Sequence, residues 1–319
     1  MTYHPLSSET LRALDPIFQD IQATWDAWNA TVDADAVFSE WKEGIRQGTI
    51  SGMLYADEKD PKRGIAVIWQ EKTGPNYSNV LIHSTEDIDP TPLIKEFFNR
   101  IDMSTFIAEL IQYTDSFVYR DAFIALGCFE KERQRMSVQI PDDIQAPTLS
   151  SGLSLAPADA SRIPDIATVS CAAHYPRKGV EGYIEFSTPE ERIKLSEQFR
   201  NHPDVPFLEA ASELLYMNGQ PAAAIELMRY PWQPDEDSAW IMDITVDPDH
   251  QGQGLAYRLL QDSMYKVKTL EKINHMGLSV TLSNHSAISL YEQMGFEPYQ
   301  IFVEIISSQC MQRCIRASD

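Results

Sequence analysis

The sequence predicts an α/β (α+β) fold in two domains, each a sheet flanked by helices, and three observations carry that expectation. The chain has 319 residues, 43% of them hydrophobic, enough for two cores of moderate size. Its middle, 141–152, holds two prolines, a glycine and polar residues with no sustained apolar period, which is linker chemistry. Beyond that stretch strand-like runs alternate with helical ones, and part of the same order recurs before it. The domains are therefore expected at 1–145 and 150–319.

In the first half, 64–69 (Gly-Ile-Ala-Val-Ile-Trp) and 80–82 (Val-Leu-Ile) have strand character, and 93–101 has helical character. In the second half, 152–155 alternates as a strand does. Ser161 then opens a helical run with Ile163, Ile166, Ala167, Val169 and Ser170, and a further helix is expected over 189–200. Residues 211–228 read as two strands around Asn218-Gly219, the dipeptide that most favours a two-residue hairpin turn. The strand 240–246 follows, and Leu255, Leu259, Leu260, Met264 and Val267 then recur at helical spacing on one face. A strand at 278–282, a short helix at 287–294 and a β-rich run at 299–306 complete the order.

One pattern occurs twice. Ala122-Phe-Ile-Ala-Leu-Gly-Cys-Phe-Glu130, followed by strand-like 136–140, parallels Leu290-Tyr-Glu-Gln-Met-Gly-Phe-Glu297, followed by 301–305, with Cys128 as an extra residue. A helix-Gly-aromatic-strand pattern repeated about 165 residues apart points to an internal duplication.

Composition excludes several function classes. The net charge of -21 is spread about evenly along the chain and no basic stripe interrupts it, so a nucleic-acid partner is not expected. No run approaches the roughly 20 apolar residues that span a bilayer, which argues against a membrane partner. Cys128, Cys171, Cys310 and Cys314 form no CxxC pair and no secretory segment stands at the N-terminus, so a reducing, cytoplasmic setting is expected. The acidic surface leans weakly toward cationic substrates, since acidity also serves solubility.

The sharpest chemical signal is Gln251-x-x-Gly254-x-Ala256, which follows the strand 240–246 and opens a helix. Backbone N–H groups at a helix start, freed from side chains by Gly252 and Gly254, form a positive nest that a phosphate fits. A glycine pair ahead of an apolar helix is by itself often only a tight turn. Here Asn284-His-Ser-Ala-Ile-Ser-Leu-Tyr-Glu-Gln-Met-Gly-Phe296 stands roughly 30 residues further on.

Together these motifs strongly resemble the GNAT superfamily of acetyl-CoA-dependent N-acetyltransferases, with the features of 152–306 in the family's order. The resemblance implies two GNAT-like domains, each a mixed, mostly antiparallel sheet flanked by helices, with splayed central strands in the second. Acetyl-CoA as co-substrate is implied, its pantetheine arm between the splayed strands and its pyrophosphate on the glycine turn. Backbone groups of Ile244, Thr245 and Val246 would hold the arm. Gln251, Gly252, Gln253, Gly254, Leu255 and Ala256 map onto the pyrophosphate loop, where Gln251 stands at a position often occupied by Arg. Asn284 matches a position whose side chain commonly touches CoA, and Tyr291 matches the tyrosine whose phenol protonates the departing thiolate. Asp243 sits where many members carry an acidic residue, a candidate general base, with Glu226 and His174 as alternatives.

Each of these residues also has an ordinary use. Tyr291 is an amphipathic ring suited to packing on a sheet, and Asp243 is a carboxylate suited to pairing with an arginine. His250, His275 and His285 show no i, i+4 pair and no HExxH, so no metal is expected. Cys171 has no activating base nearby in sequence and reads as a small hydrophobe, while 235–237 reads as a solvated acidic loop.

The first half lacks the chemistry. Phe123 stands where Tyr291 does, without a hydroxyl, and 83–92 carries three carboxylates, two prolines and no glycine where the nest would be. Prolines remove donors and carboxylates repel phosphate, so a degenerate, non-catalytic domain is expected there. The expected function is transfer of acetyl from acetyl-CoA to a primary amine, on a small molecule or peptide, by direct attack in a ternary complex. A non-catalytic acyl-CoA-binding regulatory module, and an acyltransferase using a longer acyl-CoA or a protein N-terminal amine, are the competing readings. Monomer and homodimer both stay open.

Overall fold

The computed structural model describes residues 2–27, 32–60, 62–72, 78–112, 118–174, 188–202, 205–230 and 237–310. The chain divides into two compact units, Met1–Lys131 with Phe302–Gln312, and Glu132–Ile301 with Arg313–Asp319. In the first unit, β1 (Thr2–Pro5), α1 (Asp15–Ala27), α2 (Ala34–Gln47), β2 (Ile50–Ala56), β3 (Gly64–Lys72), β4 (Ser78–Ser84), α3 (Thr91–Phe98), β5 (Ile107–Gln112) and α4 (Val118–Ala125) follow one another. Strands β1 to β4 pair antiparallel in order, and β4 pairs with β5 in parallel.

Burial on both faces explains why β3 reads as an unbroken apolar run rather than an alternating one. Val67 and Trp69 meet Ile17, Phe18, Ile21 and Trp25 of α1, while Ala66 and Ile68 meet Leu93, Ile94 and Phe97 of α3. Each such side chain contributes about 1.5–3 kcal/mol on burial, so two helical layers on one sheet make a real core.

The chain continues through β6 (Cys128–Gln139), β7 (Leu153–Pro157), α5 (Ile163–His174), α6 (Pro189–Arg200), β8 (Glu213–Met217), β9 (Gln220–Arg229) and β10 (Ser238–Val246). It ends with α7 (Leu255–Thr269), β11 (His275–Thr281), α8 (His285–Gln293) and β12 (Glu297–Ser307). The second unit's sheet runs β6-β11-β10-β9-β8-β7, antiparallel except for the β10–β11 pair. The expected hairpin turn sits between β8 and β9, with Asn218 at φ 51° and Gly219 at φ 81°. Leu255, Leu259, Leu260, Met264 and Val267 of α7 are all buried in the core that also holds Ala223, Ile225 and Leu227 of β9 and Ala239 and Ile241 of β10. The α5 helix packs on β9 and β10. The mixed, mostly antiparallel sheets flanked by helices are thus those that the sequence predicts.

Strands β6 and β12 each begin in one unit and end in the other. Seven residues of β6, Arg133 through Gln139, pair with β11 in the second unit, and Glu304 to Ile306 of β12 pair with β5 in the first. The halves expected at 1–145 and 150–319 therefore exchange their last strands. The connecting stretch lies along α7: Gln261 Nε2 donates to the Gln145 carbonyl at 3.0 Å, Arg258 Nη1 to the Thr148 carbonyl at 2.8 Å, and Lys268 pairs with Asp142 at 2.7 Å. In both units a short helix is closed by a left-handed glycine, Gly127 after α4 (φ 88°) and Gly295 after α8 (φ 87°). Each glycine N–H donates to the carbonyl three residues back, on Ile124 and Glu292.

Candidate functional site

The parallel pairing of β10 with β11 runs from Ser238↔His275 to Ile241↔Leu278 and stops there, although β10 continues to Val246 and β11 to Thr281. Their outer edges stay paired, β10 with β9 to Val246↔Ala223 and β11 with β6 to Thr281↔Arg133. Between the two strands lie backbone donors and acceptors that require partners from elsewhere. Among the described residues of the first unit there is no such opening, since the β4–β5 pairing extends to Ile82↔Gln112, the last residue of β5.

The open segment of β10 leads straight into the glycine turn. Asp247 accepts from the Asp249 N–H at 2.9 Å to start a single 3₁₀ turn, Pro248–His250, after which Gly252 (φ 76°) and Gly254 (φ 73°) adopt left-handed backbone. Any other residue there is strained by about 1–2 kcal/mol, although the space a side chain would enter is open. Gly254 is the N-cap of α7, no side chain caps that helix, and its first turn carries no acid. Uncapped N–H groups and the positive end of the helix dipole favour an anion. Gln251 Nε2 donates to the Val246 carbonyl at 3.2 Å, so this side chain folds back on the strand.

The equivalent helix start in the first unit already holds its own anion. Asp89 accepts from the Thr91 N–H at 2.9 Å, a bond pattern that keeps its carboxyl below the ordinary range, and Pro90 and Pro92 supply no donors.

Asn284 caps α8, its Oδ1 accepting from the Ala287 N–H at 3.2 Å and the Ser286 hydroxyl at 3.1 Å. Tyr291 is buried on α8, its ring 5.8 Å from that of Phe296, in the core against which Ile244 and Val246 pack. Its first-unit counterpart Phe123 is fully buried.

A one-residue bulge governs the rest of the site. Register shifts between Ile241 and Asp243, leaving Met242 as the extra, exposed residue. Ala239 and Ile241 before it, and Ile244 and Val246 after it, all pack on the α7 side. The bulge therefore turns Asp243 and Thr245 to the opposite face, under α5 and α6. There Asp243 accepts from Ser170 Oγ at 2.7 Å, Arg192 Nη2 at 3.0 Å and His174 Nε2 at 3.2 Å. Burial alone would raise its pKa, but His174, Arg192 and Ser170 outweigh that cost and hold it at about 2. Glu226, its register partner on β9, is bound by Arg192 and by Arg200 Nη1 at 2.7 Å, with Ser196 at 3.1 Å.

Sequence reasoning passes over Arg192, Ser196, Arg200 and Ser170, which complete this network. The signal was present as a polar i, i+4, i+8 stripe on α6 and as Ser170 and His174 one turn apart on α5. Cys171, beside them, is pushed up to about 11 by burial, which makes it a thiol and no nucleophile at neutral pH. Among the described residues no group of three or more His, Cys, Asp and Glu is placed to hold a metal ion, and no helix is long and apolar enough to cross a membrane. Residues 235–236 and Cys314 lie outside the described residues.

Residues 173–296, which span β10, the opening, the glycine turn and α8, match the acetyltransferase (GNAT) family. Over these residues the chain is similar to the GNAT superfamily. A 62-residue stretch is 44% identical to [Ribosomal protein bS18]-alanine N-acetyltransferase of Escherichia coli (strain K12), 19% of this chain and 40% of that protein. The chain thus spans about 40% of the length of the curated relatives it matches. Beyond the GNAT segment the likeness is one of fold. A GCN5-related N-acetyltransferase from Sphaerobacter thermophilus superposes over 95% of this chain and 94% of its own, with 15% identity and a TM-score of 0.56. A tandem GNAT protein from the clavulanic acid biosynthesis pathway does so over 95% and 97%, with 13% identity and a TM-score of 0.53. Both cover the GNAT segment and the half of the chain that precedes it.

Proposed function

We propose that the GNAT unit is an N-acetyltransferase that moves the acetyl group of acetyl-CoA to a primary amine by direct attack in a ternary complex. The observation that carries this reading is the opening between β10 and β11 that runs into the uncapped start of α7. Backbone groups of Ile244, Thr245 and Val246 suit the amides of the pantetheine arm, and amides from Gln251 through Ala256 suit the pyrophosphate. When bound, acetyl-CoA supplies an activated thioester. Asn284 already spends its Oδ1 on capping α8, which leaves its amide NH2 group to meet the CoA arm.

In the reaction the neutral amine forms a C–N bond to the thioester carbon, the C–S bond breaks, the thiolate takes a proton from Tyr291, and the proton that the nitrogen loses restores the Tyr291 phenol. Asp243, held at about 2 by its donors, acts as a fixed anion in this scheme. Among the described residues the first unit shows no opening and no nest, and Phe123 has no hydroxyl, so in this reading its work is structural.

The test is free-thiol release from acetyl-CoA with a set of amines that includes spermidine and an alanine-initiated peptide, the latter because the ribosomal-protein relative acts on alanine. Gly254→Glu, which puts a strained, negative side chain in the nest, should weaken CoA binding at least about 100-fold, and undiminished affinity would refute the reading. Tyr291→Phe should lower kcat about 10–100-fold at unchanged CoA affinity. Saturable CoA binding without thiol release for any amine would favour a binding module instead.

A further inference from the structure

We propose that the Thr245 hydroxyl holds the acceptor amine, accepting a hydrogen bond from its N–H, and that Ser170, itself bound to Asp243, is the residue that positions this hydroxyl. The inference rests on acetyl transfer at this site and names the group that aligns the amine for it.

Thr245 belongs to the part of β10 that runs on beyond Ile241, where the pairing with β11 has stopped. A hydroxyl one bond beyond Cβ cannot leave its own strand, so this one lies at the border of the opening. Its neighbours Ile244 and Val246 pack on the core that holds Tyr291, and Thr245 stands on the other face of the strand, where Ser170 of α5 meets it. The thiolate leaves toward Tyr291 on the one face, and the other is left for the incoming amine.

Counting hydrogens settles what this hydroxyl can do. Asp243, held at about 2, is ionised at neutral pH and is an acceptor only. Ser170 spends its single hydrogen on Asp243 Oδ2 at 2.7 Å. Toward Thr245 Oγ1, 3.4 Å away, Ser170 Oγ can then only accept, so the hydrogen between them belongs to Thr245. The Thr245 oxygen is left with lone pairs alone, and among the described residues no other side chain or backbone group donates to it. The residue is 4% exposed, and a buried acceptor of this kind requires a donor. The thioester carbonyl offers only an acceptor, whereas the amine offers N–H bonds, so the hydroxyl selects the amine. Two O–H groups in line toward one anion polarise each other, which carries part of the Asp243 charge out to Thr245. Arg192 and His174 hold the carboxylate from its other sides. With one N–H given to Thr245, the nitrogen lone pair of the neutral amine is free to face the thioester carbon.

The experiment compares the full-length wild type, Thr245→Val, Thr245→Ser, Ser170→Ala and the double variant Ser170→Ala with Thr245→Val, using acetyl-CoA with spermidine and with an alanine-initiated peptide. CoA affinity is read by calorimetry, and KM for the amine and kcat by thiol release. Thr245→Val keeps the shape of the side chain and removes the oxygen; it should raise KM for the amine about tenfold with CoA affinity within about twofold. Thr245→Ser, which restores the oxygen, should recover most of that loss. Ser170→Ala, which frees the Thr245 hydrogen, should raise KM for the amine about threefold, and in the Thr245→Val background it should add nothing further, because Ser170 acts through Thr245. A Thr245→Val enzyme whose KM for the amine stays within about twofold of the wild type would overturn the assignment while leaving acetyl transfer standing. So would a loss of CoA affinity as large as the rise in KM for the amine, since the hydroxyl would then serve the strand and not the substrate. No thiol release from the wild type with either amine would overturn acetyl transfer itself, and the assignment with it.

Discussion

Arg192 lies between two carboxylates that face each other across neighbouring strands, Glu226 on β9 and Asp243 on β10, and all three are buried. Two like charges this close are tolerable only with the guanidinium between them. Arg192→Met should therefore cost about 3–5 kcal/mol, seen as a lower urea midpoint, far more than the loss of a surface pair. A second buried charge cluster carries a pH signature. Lys266 of α7 pairs with Asp262 at 2.9 Å and with Glu213 of β8, and burial, with Asp262 beside it, pushes Glu213 up to about 8. A carboxyl whose folded pKa exceeds its unfolded one stabilises fully below about pH 4 and loses that stability as pH rises toward 8. Glu213→Gln should flatten the fall in urea midpoint between pH 5 and 8; an unchanged slope would place the effect elsewhere. Asp243 was legible as a special acid from its place in a motif. Its partners were not, because Ser170, His174 and Arg192 are 73, 69 and 51 residues away and leave no local pattern.

Among the elements, β10 decides most about the site. Its apolar composition predicts a strand, but the side to which Asp243 points follows from one extra residue. Deleting Met242 should move Asp243 and Thr245 onto the α7 face and abolish cooperative unfolding, while Met242→Ala, which shortens only an exposed side chain, should leave the melting curve nearly unchanged. Circular dichroism on both variants makes the comparison. Helix α7 was legible in full, since its buried residues recur at 3.6-residue spacing and its start is marked by glycines that need positive φ. Helix α6 was legible as a helix by its Thr188 cap and Pro189, yet its buried face is Arg192 and Ser196. No apolar stripe announces a helix whose inner side binds charge.

At the scale of the whole molecule, the exchange of β6 and β12 ties the two halves of the sequence together. Cutting the chain between 145 and 150 would leave the second unit without the strand that pairs with all seven residues of β11, and the first without the strand beside β5. Each half expressed alone should be insoluble or non-cooperative, and the two co-expressed should purify as a pair; two independently stable halves would show the exchanged strands to be dispensable. By itself the sequence determined the local features: helix periods, the Asn218-Gly219 turn, the glycine nest and the repeated helix-glycine ending. These depend on residues near one another in the chain, where backbone preference and apolar spacing act directly. Only the tertiary structure decided where β10 and β11 part, after Ile241, that the Asp243 carboxylate is buried among Ser170, His174 and Arg192, and which half each closing strand serves. Those outcomes depend on pairing between distant segments, which compete for the same hydrogen-bonding edges and the same buried charge, and no local pattern records which pairing wins.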